Sequence, residues 1–216
     1  MTPQKQTVFV GTLALEGYLR LPADPLGVVI FAHGAGSSHL STRNNHVADA
    51  LGKRGIATLL FDLLTEDEAR DRANVFDITL LSARVIDAIA WAKSNAQIGS
   101  LPIGLFGSST GAAAALVGAA NAPSDIQAVV SRGGRPDMAD AALPNVKAPV
   151  LLIVGGADYQ VIELNEQAAK RLTCPYKLEI IPNATHLFEE PGALEQVVEI
   201  AGDWFETKLT TDRTQS

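Results

Sequence analysis

Two adjacent serines stand in a run of small residues, and one of them has the surroundings of a nucleophile. In "GSSTG" (107–111), the pattern G-x-S-x-G fits only with Ser109 at its centre, because centring on Ser108 would need glycines at Phe106 and Thr110. Glycines two residues before and after a serine allow a tight, strained turn from a strand into a helix. The helix start then offers backbone N–H groups to a developing oxyanion. The motif predicts a nucleophilic Ser109, with a serine- and glycine-rich turn that does no chemistry as the alternative.

A serine hydroxyl needs a base to remove its proton, and the sequence offers one histidine and two aspartates for this purpose. His186 follows the last predicted strand, in "NATH", where it can meet the turn that carries Ser109. Asp158 ends the apolar run "PVLLIVGG" and is the predicted partner that orients the imidazole. Asp137, in "RGGRPDM", is the alternative acid, although it also suits a turn or a helix cap after Pro136.

The segment "HGAG" (33–36) follows another apolar run and is a candidate oxyanion loop. Its small residues let backbone N–H groups come close to a substrate oxygen. The predicted donors are the amides of Ala35 and of Thr110, the residue directly after the candidate nucleophile. Gly34 and Gly36 are predicted substrate contacts.

We interpret the remaining histidines as structural or surface residues and not as catalytic ones. The same holds for Asp62 and for the single cysteine. His33 is expected to fix the loop that it opens, and Asp62 to cap or brace the loop after its strand. His39 and His46 stand in a polar loop and a helix start, which favours surface positions for both. Cys174, beside a proline, is interpreted as a buried or edge thiol without an obvious activator nearby.

Short apolar runs alternate with helical stretches, and this order predicts how the candidate residues are positioned. Continuous apolar runs are typical of strands buried on both faces of a parallel sheet. The predicted strands are 27–33, 57–64, 102–108, 126–131, 149–156 and 176–182, after an opening antiparallel hairpin over 7–22. The predicted helices are 41–55, 74–95, 111–121, 161–172 and 191–209. This alternation predicts a doubly wound α/β sheet, in which ligands bind at the carboxyl ends of the strands.

The chain is expected to form one domain over residues 1–209, followed by a polar tail over 210–216. Only residues 132–148 separate two of the predicted strands, so no cap domain is expected there and the site should be open to solvent. The loops "GSSHLSTRNN" and "RGGRPDMADAAL" should bound it. In the second loop, Arg132 and Arg135 either brace the chain or contact a carboxylate-bearing substrate.

Composition excludes several classes of partner. The chain has 216 residues, a formal net charge of −7 and dispersed lysines and arginines, which argues against nucleic acid. No apolar run is long enough to span a membrane, and the N-terminus lacks the pattern of a signal peptide. One cysteine cannot form an intrachain disulfide, and no Cys/His spacing indicates a zinc site. We therefore expect a cytoplasmic monomer or homodimer that binds no metal, nucleic acid or membrane.

With these residues assembled, the chain resembles the α/β-hydrolase fold over nearly its whole length, and within it the dienelactone-hydrolase-like group. The segments that carry the resemblance are "FAHGAGSS", "GLFGSSTGAAAAL", "LLIVGGADYQV" and "NATHLFEEPG". The resemblance implies a mostly parallel eight-stranded sheet flanked by helices, and hydrolysis of esters, lactones or related acyl compounds without a cofactor. It also implies the roles of nucleophile, acid and base for Ser109, Asp158 and His186, and of oxyanion donors for Ala35 and Thr110.

One departure from this group changes the expected substrate. Dienelactone hydrolases use a cysteine at the position where this chain has Ser109, so hydrolysis of a small ester through a serine acyl-enzyme is the better prediction. The same triad would also serve thioester, amide or peptide hydrolysis, or perhydrolysis. A binding or regulatory module that keeps the fold without catalysis is the alternative from another class.

Overall fold

The structure, a computed structural model, describes residues 3–210, and in it eight strands form one sheet. The strands are β1 (Lys5–Val10), β2 (Leu15–Arg20), β3 (Val28–Ala32), β4 (Ala57–Phe61), β5 (Ile103–Ser108), β6 (Ile126–Arg132), β7 (Val150–Gly155) and β8 (Tyr176–Ile181). Their order across the sheet is β1-β2-β4-β3-β5-β6-β7-β8. The pairs β1–β2 and β2–β4 are antiparallel, and the pairs from β4 to β8 are parallel. The mostly parallel eight-stranded sheet with an opening hairpin is confirmed.

Six α-helices connect or flank these strands. They are α1 (Thr42–Lys53), α2 (Glu66–Arg70), α3 (Ile78–Ser94), α4 (Thr110–Asn121), α5 (Tyr159–Ala169) and α6 (Ala193–Thr210). Two stretches of 3-10 helix occupy Asn74–Phe76 and Pro136–Asn145. No helix within residues 3–210 combines the length and the apolar character needed to cross a membrane.

The central strands are almost entirely apolar because both of their faces are covered. Every residue of β3, β4, β5 and β7 is buried. On one face the apolar side chains pack mainly with α3 and α4, and on the other mainly with α1 and α6. This burial on two faces explains why the strands lack the alternation of polar and apolar residues that a half-exposed sheet shows.

Several helices differ from the predictions in their bounds, and one was not predicted. The predicted helix over 74–95 begins only at Ile78, because the side chain of Asp77 accepts a hydrogen bond from the Leu80 amide and caps it there. Helix α2 was not predicted, and its capping box, in which Thr65 and Glu68 bond each other's backbone amides, is the signal that identifies it. At the other end, the final helix includes Thr210, and the rest of the predicted tail lies outside the described residues.

The segment between β6 and β7 contains no cap domain. Within the described part of the chain it forms only the 3-10 stretch Pro136–Asn145, which packs against α4 and α5. The carboxyl ends of β5 and β6 are therefore not covered by an inserted domain, as the short spacing predicted.

Candidate active site

Ser109 lies at a sharp turn between β5 and α4. Its backbone has φ 51° and ψ −122°, a conformation that non-glycine residues rarely adopt, and α4 begins at the next residue. The Ser109 carbonyl accepts hydrogen bonds from the amides of Ala112 and Arg135, at 3.1 Å each, which hold the turn. Such strain persists only where the surroundings impose it, and it is concentrated at functional sites.

The two glycines of the motif are required by close packing against the turn. A Cβ at Gly111 would lie 2.2 Å from the carbonyl oxygen of Ala32, and one at Gly107 would lie 2.4 Å from Cα of Ala112. Real Cβ atoms do not approach backbone atoms this closely. The spacing G-x-S-x-G therefore has a direct steric cause in this chain.

Gly111→Ala should destabilise the fold strongly, because the Ala32 carbonyl belongs to the central strand β3 and cannot move without loss of sheet pairing. We expect the free energy of unfolding to fall by about 3 kcal/mol or more. Gly36→Ala is the comparison: Gly36 has φ 69° but open space around its Cβ position, so only the strained backbone counts, at about 1 kcal/mol. Urea unfolding of both variants measures the difference, and an equal loss would contradict the steric argument.

His186 and Asp158 form the second part of the site. Nδ1 of His186 lies 2.7 Å from Oδ2 of Asp158, across two loops that follow β8 and β7. The Asp158 side chain is 16 % exposed and that of His186 38 % exposed, so the imidazole reaches solvent while the carboxylate is largely covered. Asp137, the alternative acid, instead accepts two hydrogen bonds from Arg135, at 2.9 and 2.8 Å. The structure thus places Asp158, and not Asp137, against His186.

The loop that carries His186 is fixed on both sides of the histidine. Thr185 donates from its backbone amide and its hydroxyl to the carboxylate of Glu190, at 3.1 and 2.6 Å. Phe188 is buried beneath the loop. Gly133 approaches from the end of β6, where a Cβ would lie 3.0 Å from the His186 carbonyl oxygen. These contacts fix the loop whose histidine lines the same cavity as Ser109.

The loop 33–36 is held by its histidine, as predicted. Nε2 of His33 accepts a hydrogen bond from the Leu63 amide at 3.0 Å, which ties the end of β3 to the end of β4. Burial lowers the pKa of His33, so its neutral form, which can accept this bond, is favoured. The amides of Ala35 and Thr110 donate no hydrogen bond within residues 3–210 and are free to bind an oxyanion.

Two cavities meet at this loop, and we name each after one residue. The Arg132 pocket has a volume of about 210 Å³ and contains Ser109 and His186. The Leu64 pocket has a volume of about 340 Å³ and contains Thr110. Ala35 and Gly34 line both, and Gly36 lines the Leu64 pocket. Ala35 therefore lies between the two cavities, and Thr110 lines only the Leu64 pocket.

The two arginines that the sequence singled out have different environments. Arg135 pairs with Asp137 and braces its loop. Arg132 is buried, lines the pocket of Ser109, and donates to Oδ1 of Asn44 at 3.4 Å. Ser108, the neighbour of the candidate nucleophile, donates to the same oxygen at 3.2 Å. The Ser108 hydroxyl is thus engaged in a buried hydrogen bond.

Three features of the site were not anticipated from the sequence. His39 is buried and not on the surface, because its backbone amide donates to Asp62 at 2.7 Å and its ring lies 2.9 Å from the same carboxylate. His46 is exposed and Cys174 buried, as expected. The Leu64 pocket was missed because one of its walls comes from 64–81, a stretch whose short helix was not recognised. Asn44 was missed because nothing in "STRNN" marks one asparagine as facing the site.

Comparison with known proteins identifies the family. The sequence model of the dienelactone hydrolase family matches residues 15–208. The chain belongs to the dienelactone hydrolase family. A dienelactone hydrolase from Anabaena variabilis has a solved structure that is 51 % identical, with a TM-score of 0.93 over 96 % of this chain and 99 % of that one. Family and fold together support a hydrolase.

More distant structures share the fold of this family, that of α/β hydrolases. Est1E from Butyrivibrio proteoclasticus superposes with a TM-score of 0.80 at 18 % identity, over 96 % of this chain and 99 % of its own. Two Mycobacterium tuberculosis proteins, from strains CDC 1551 and H37Rv, are 54 % identical over 198 residues and are provisionally named phosphoribosyl transferases. The match covers 92 % of this chain but 45 % of theirs, so the chain spans about half the length of these relatives.

The site brings together groups that could carry out acyl transfer. No group of three or more histidine, cysteine, aspartate or glutamate side chains that could hold a metal ion occurs within residues 3–210. What the geometry offers instead is a hydroxyl, an imidazole paired with a carboxylate, and two free amides.

Proposed function

We propose that the protein is a serine hydrolase that cleaves small carboxylic esters or lactones through an acyl-enzyme. The observation that carries the proposal is the pairing of His186 with Asp158, at 2.7 Å, in the same site as a strained Ser109. A nucleophile, a base and an orienting carboxylate held on three separate loops are the parts that acyl transfer needs.

In the first half of the proposed reaction, Ser109 attacks the substrate carbonyl. Nε2 of His186 takes the proton from Oγ, while Asp158 holds the proton on Nδ1 and stabilises the imidazolium that forms. The carbonyl oxygen becomes an oxyanion that the amides of Ala35 and Thr110 bind. The imidazolium then gives its proton to the leaving alkoxide, the ester C–O bond breaks, and an acyl-enzyme remains.

In the second half, water replaces the alcohol. His186 removes a proton from the water, which attacks the acyl carbon of the ester formed with Ser109. The second oxyanion forms on the same two amides, and the proton returns to Oγ as the carboxylic acid departs. Every group that the reaction needs is supplied by side chains and amides of this chain, so the proposal includes no cofactor.

Other reactions would use the same residues. Thioester or amide hydrolysis and perhydrolysis differ from ester hydrolysis in the shape of the pocket and in the attacking group, not in the nucleophile. The provisional name of the Mycobacterium tuberculosis relatives describes longer proteins, of which the match covers 45 %.

We further propose a cytoplasmic protein that acts on a small molecule as a monomer or homodimer, without nucleic acid or a membrane as partner. A single buried cysteine and the negative formal charge support this part of the proposal.

Turnover of an activated ester tests the proposed function. Purified, folded protein should release p-nitrophenol from p-nitrophenyl acetate catalytically, and intact-protein mass spectrometry of a rapidly quenched sample should show an acetylated chain. Heat-unfolded protein is the control for reaction at surface lysines. No turnover of p-nitrophenyl acetate, of longer acyl esters or of a simple lactone by folded protein would contradict the proposal and favour a non-catalytic module.

A further inference from the structure

Arg132 is a buried cation without a counter-ion. Its side chain is 7 % exposed, and within residues 3–210 no carboxylate lies at ion-pair distance from it. Nε and Nη1 have no hydrogen-bond partner, and Nη2 has only the Asn44 oxygen, at 3.4 Å. Burial, reinforced by repulsion from Arg43, lowers the pKa of Arg132 to about 10. The guanidinium thus keeps most of its hydrogen-bonding capacity unused.

Arg20, which is also deeply buried, has a carboxylate partner where Arg132 has none among the described residues. It donates to Asp49 at 2.7 Å and to the Asn45 side chain. A buried charge without a partner lowers stability by several kcal/mol. Arg132 instead has the Phe188 ring beside it, with its guanidinium carbon 6.0 Å from the ring centroid, so it has the features of a group whose anionic partner is not part of the chain.

The surroundings of Arg132 favour an anion. The Arg132 pocket is also lined by Ser41, Arg43 and Asn44 at the N-terminus of the twelve-residue helix α1, where the Ser41 hydroxyl caps the helix by accepting from the Asn44 amide. No aspartate or glutamate is among the described residues that line it. The positive end of the helix dipole and the guanidinium of Arg132, which has no ion-pair partner within residues 3–210, thus act on one cavity of about 210 Å³. The charge of Arg43, by contrast, is paired with Glu189.

The Leu64 pocket, on the other side of the oxyanion loop, has the opposite character. Its wall includes the apolar side chains of Leu64, Val75 and Leu81, and also the acidic residues Asp62 and Glu66. An anionic group is disfavoured there, and an apolar group is favoured. The two pockets therefore distinguish the two ends of a substrate that lies across Ser109.

We propose that the Arg132 pocket binds an anionic oxygen group of the substrate, a carboxylate or a phosphate, within a few bonds of the ester that Ser109 attacks. This inference rests on the proposed function and narrows it to esters that have one anionic end and one apolar end. The close neighbourhood of the two residues supports the short distance: the Ser109 amide donates to the Arg132 carbonyl at 3.4 Å, and both side chains line one cavity.

Matched pairs of esters test the proposal. Monomethyl succinate places a carboxylate in the acyl part, O-acetylglycolate places it in the alcohol part, and methyl 3-phosphonopropanoate replaces it by a phosphonate. Each is compared with its fully methylated, neutral form by pH-stat titration. We expect kcat/KM of at least one anionic ester to exceed that of its neutral form, and Arg132→Met to lower this anionic-to-neutral ratio by about tenfold or more.

Two further variants separate binding of the anion from a general effect of charge. Arg132→Lys should keep part of the ratio, because a cation remains without the planar fork of donors. Lys53→Gln removes one positive charge at the far end of α1, where the side chain is exposed, and should leave the ratio unchanged. The proposal would be overturned if Arg132→Met had the same anionic-to-neutral ratio of kcat/KM as the wild type in all three pairs.

Thermal unfolding without ligand distinguishes a subsite from a structural brace. If Arg132 braces its loop, Arg132→Met should melt at a lower temperature than the wild type. Under the proposal it should melt at the same or a higher temperature, because a buried charge without a partner has been removed. A lower melting temperature together with an unchanged ester ratio would assign Arg132 a structural role.

Binding of succinate tests the pocket independently of catalysis. Isothermal titration should show succinate binding to the wild type and to Ser109→Ala, at least tenfold weaker binding to Arg132→Met, and weakening with added salt. If no ester is turned over but succinate binds in this Arg132-dependent way, the proposed function fails and the anion site stands. Another outcome is that neutral esters are hydrolysed while succinate affinity and the anionic-to-neutral ratio are the same in Arg132→Met as in the wild type. In that case the anion site fails and the proposed function stands.

Discussion

Replacement of Ser109 by alanine should lower kcat/KM for p-nitrophenyl acetate by at least about 10³-fold, because the loss of Oγ removes the only atom that can form the proposed acyl-enzyme. The residual rate should come from the free amides and the cavity, which still bind the ester and its oxyanion. Initial-rate kinetics on purified protein measures the effect, and circular dichroism shows that the variant is folded.

Ser108→Ala is the matched control for this experiment. Ser108 is the adjacent hydroxyl, but it is buried and donates to Asn44, so its removal should leave activity within about tenfold of the wild type. Ser109→Gly adds a second readout: it should be as inactive as Ser109→Ala, yet about 1 kcal/mol more stable, since glycine relieves the strain at φ 51°. Near-full activity of Ser109→Ala, or loss of activity only in Ser108→Ala, would contradict the assignment of the nucleophile.

Asp158→Asn should lower kcat by about 10²- to 10⁴-fold with little change in KM. An asparagine keeps the shape of the side chain but removes the negative charge that stabilises the imidazolium. It can also present an N–H group to Nδ1 of His186, which favours the wrong tautomer for accepting the proton of Ser109. Steady-state kinetics with p-nitrophenyl acetate measures both constants.

Asp137→Asn tests the alternative acid with the same chemical change. Asp137 accepts both of its hydrogen bonds from Arg135, whereas the His186 ring pairs with Asp158, so this variant should weaken only the pair with Arg135 and keep most of the activity. The reverse outcome, with a large loss in Asp137→Asn and a small one in Asp158→Asn, would show that the acid follows β6 and not β7.

Much of the site was predictable because its residues follow strands at the same edge of a parallel sheet. Apolar runs locate the strands, and the residues after them must lie together once the strands pair. This reasoning placed Ser109, Asp158 and His186 in one region. The glycines of the motif were predictable for a steric reason that the contact between Gly111 and the Ala32 carbonyl makes explicit.

The features that escaped prediction depend on contacts between distant segments. The sequence could not show that Asp137 is occupied by Arg135, or that His39 packs against Asp62 at the end of another strand. Nor could it show that Arg132 lacks a carboxylate, because an orphan charge is recognised only when every neighbour is known. Pairing of charges is a property of the folded chain and not of local pattern.

The most direct test of the central claim is the site of covalent labelling by a fluorophosphonate. Such a probe reacts with a serine hydroxyl that a neighbouring base activates, and peptide mass spectrometry locates the adduct. The proposed mechanism predicts one adduct, on Ser109, that is lost in Ser109→Ala and strongly reduced in His186→Ala. An adduct on Ser108, or folded protein that remains unlabelled, would contradict it.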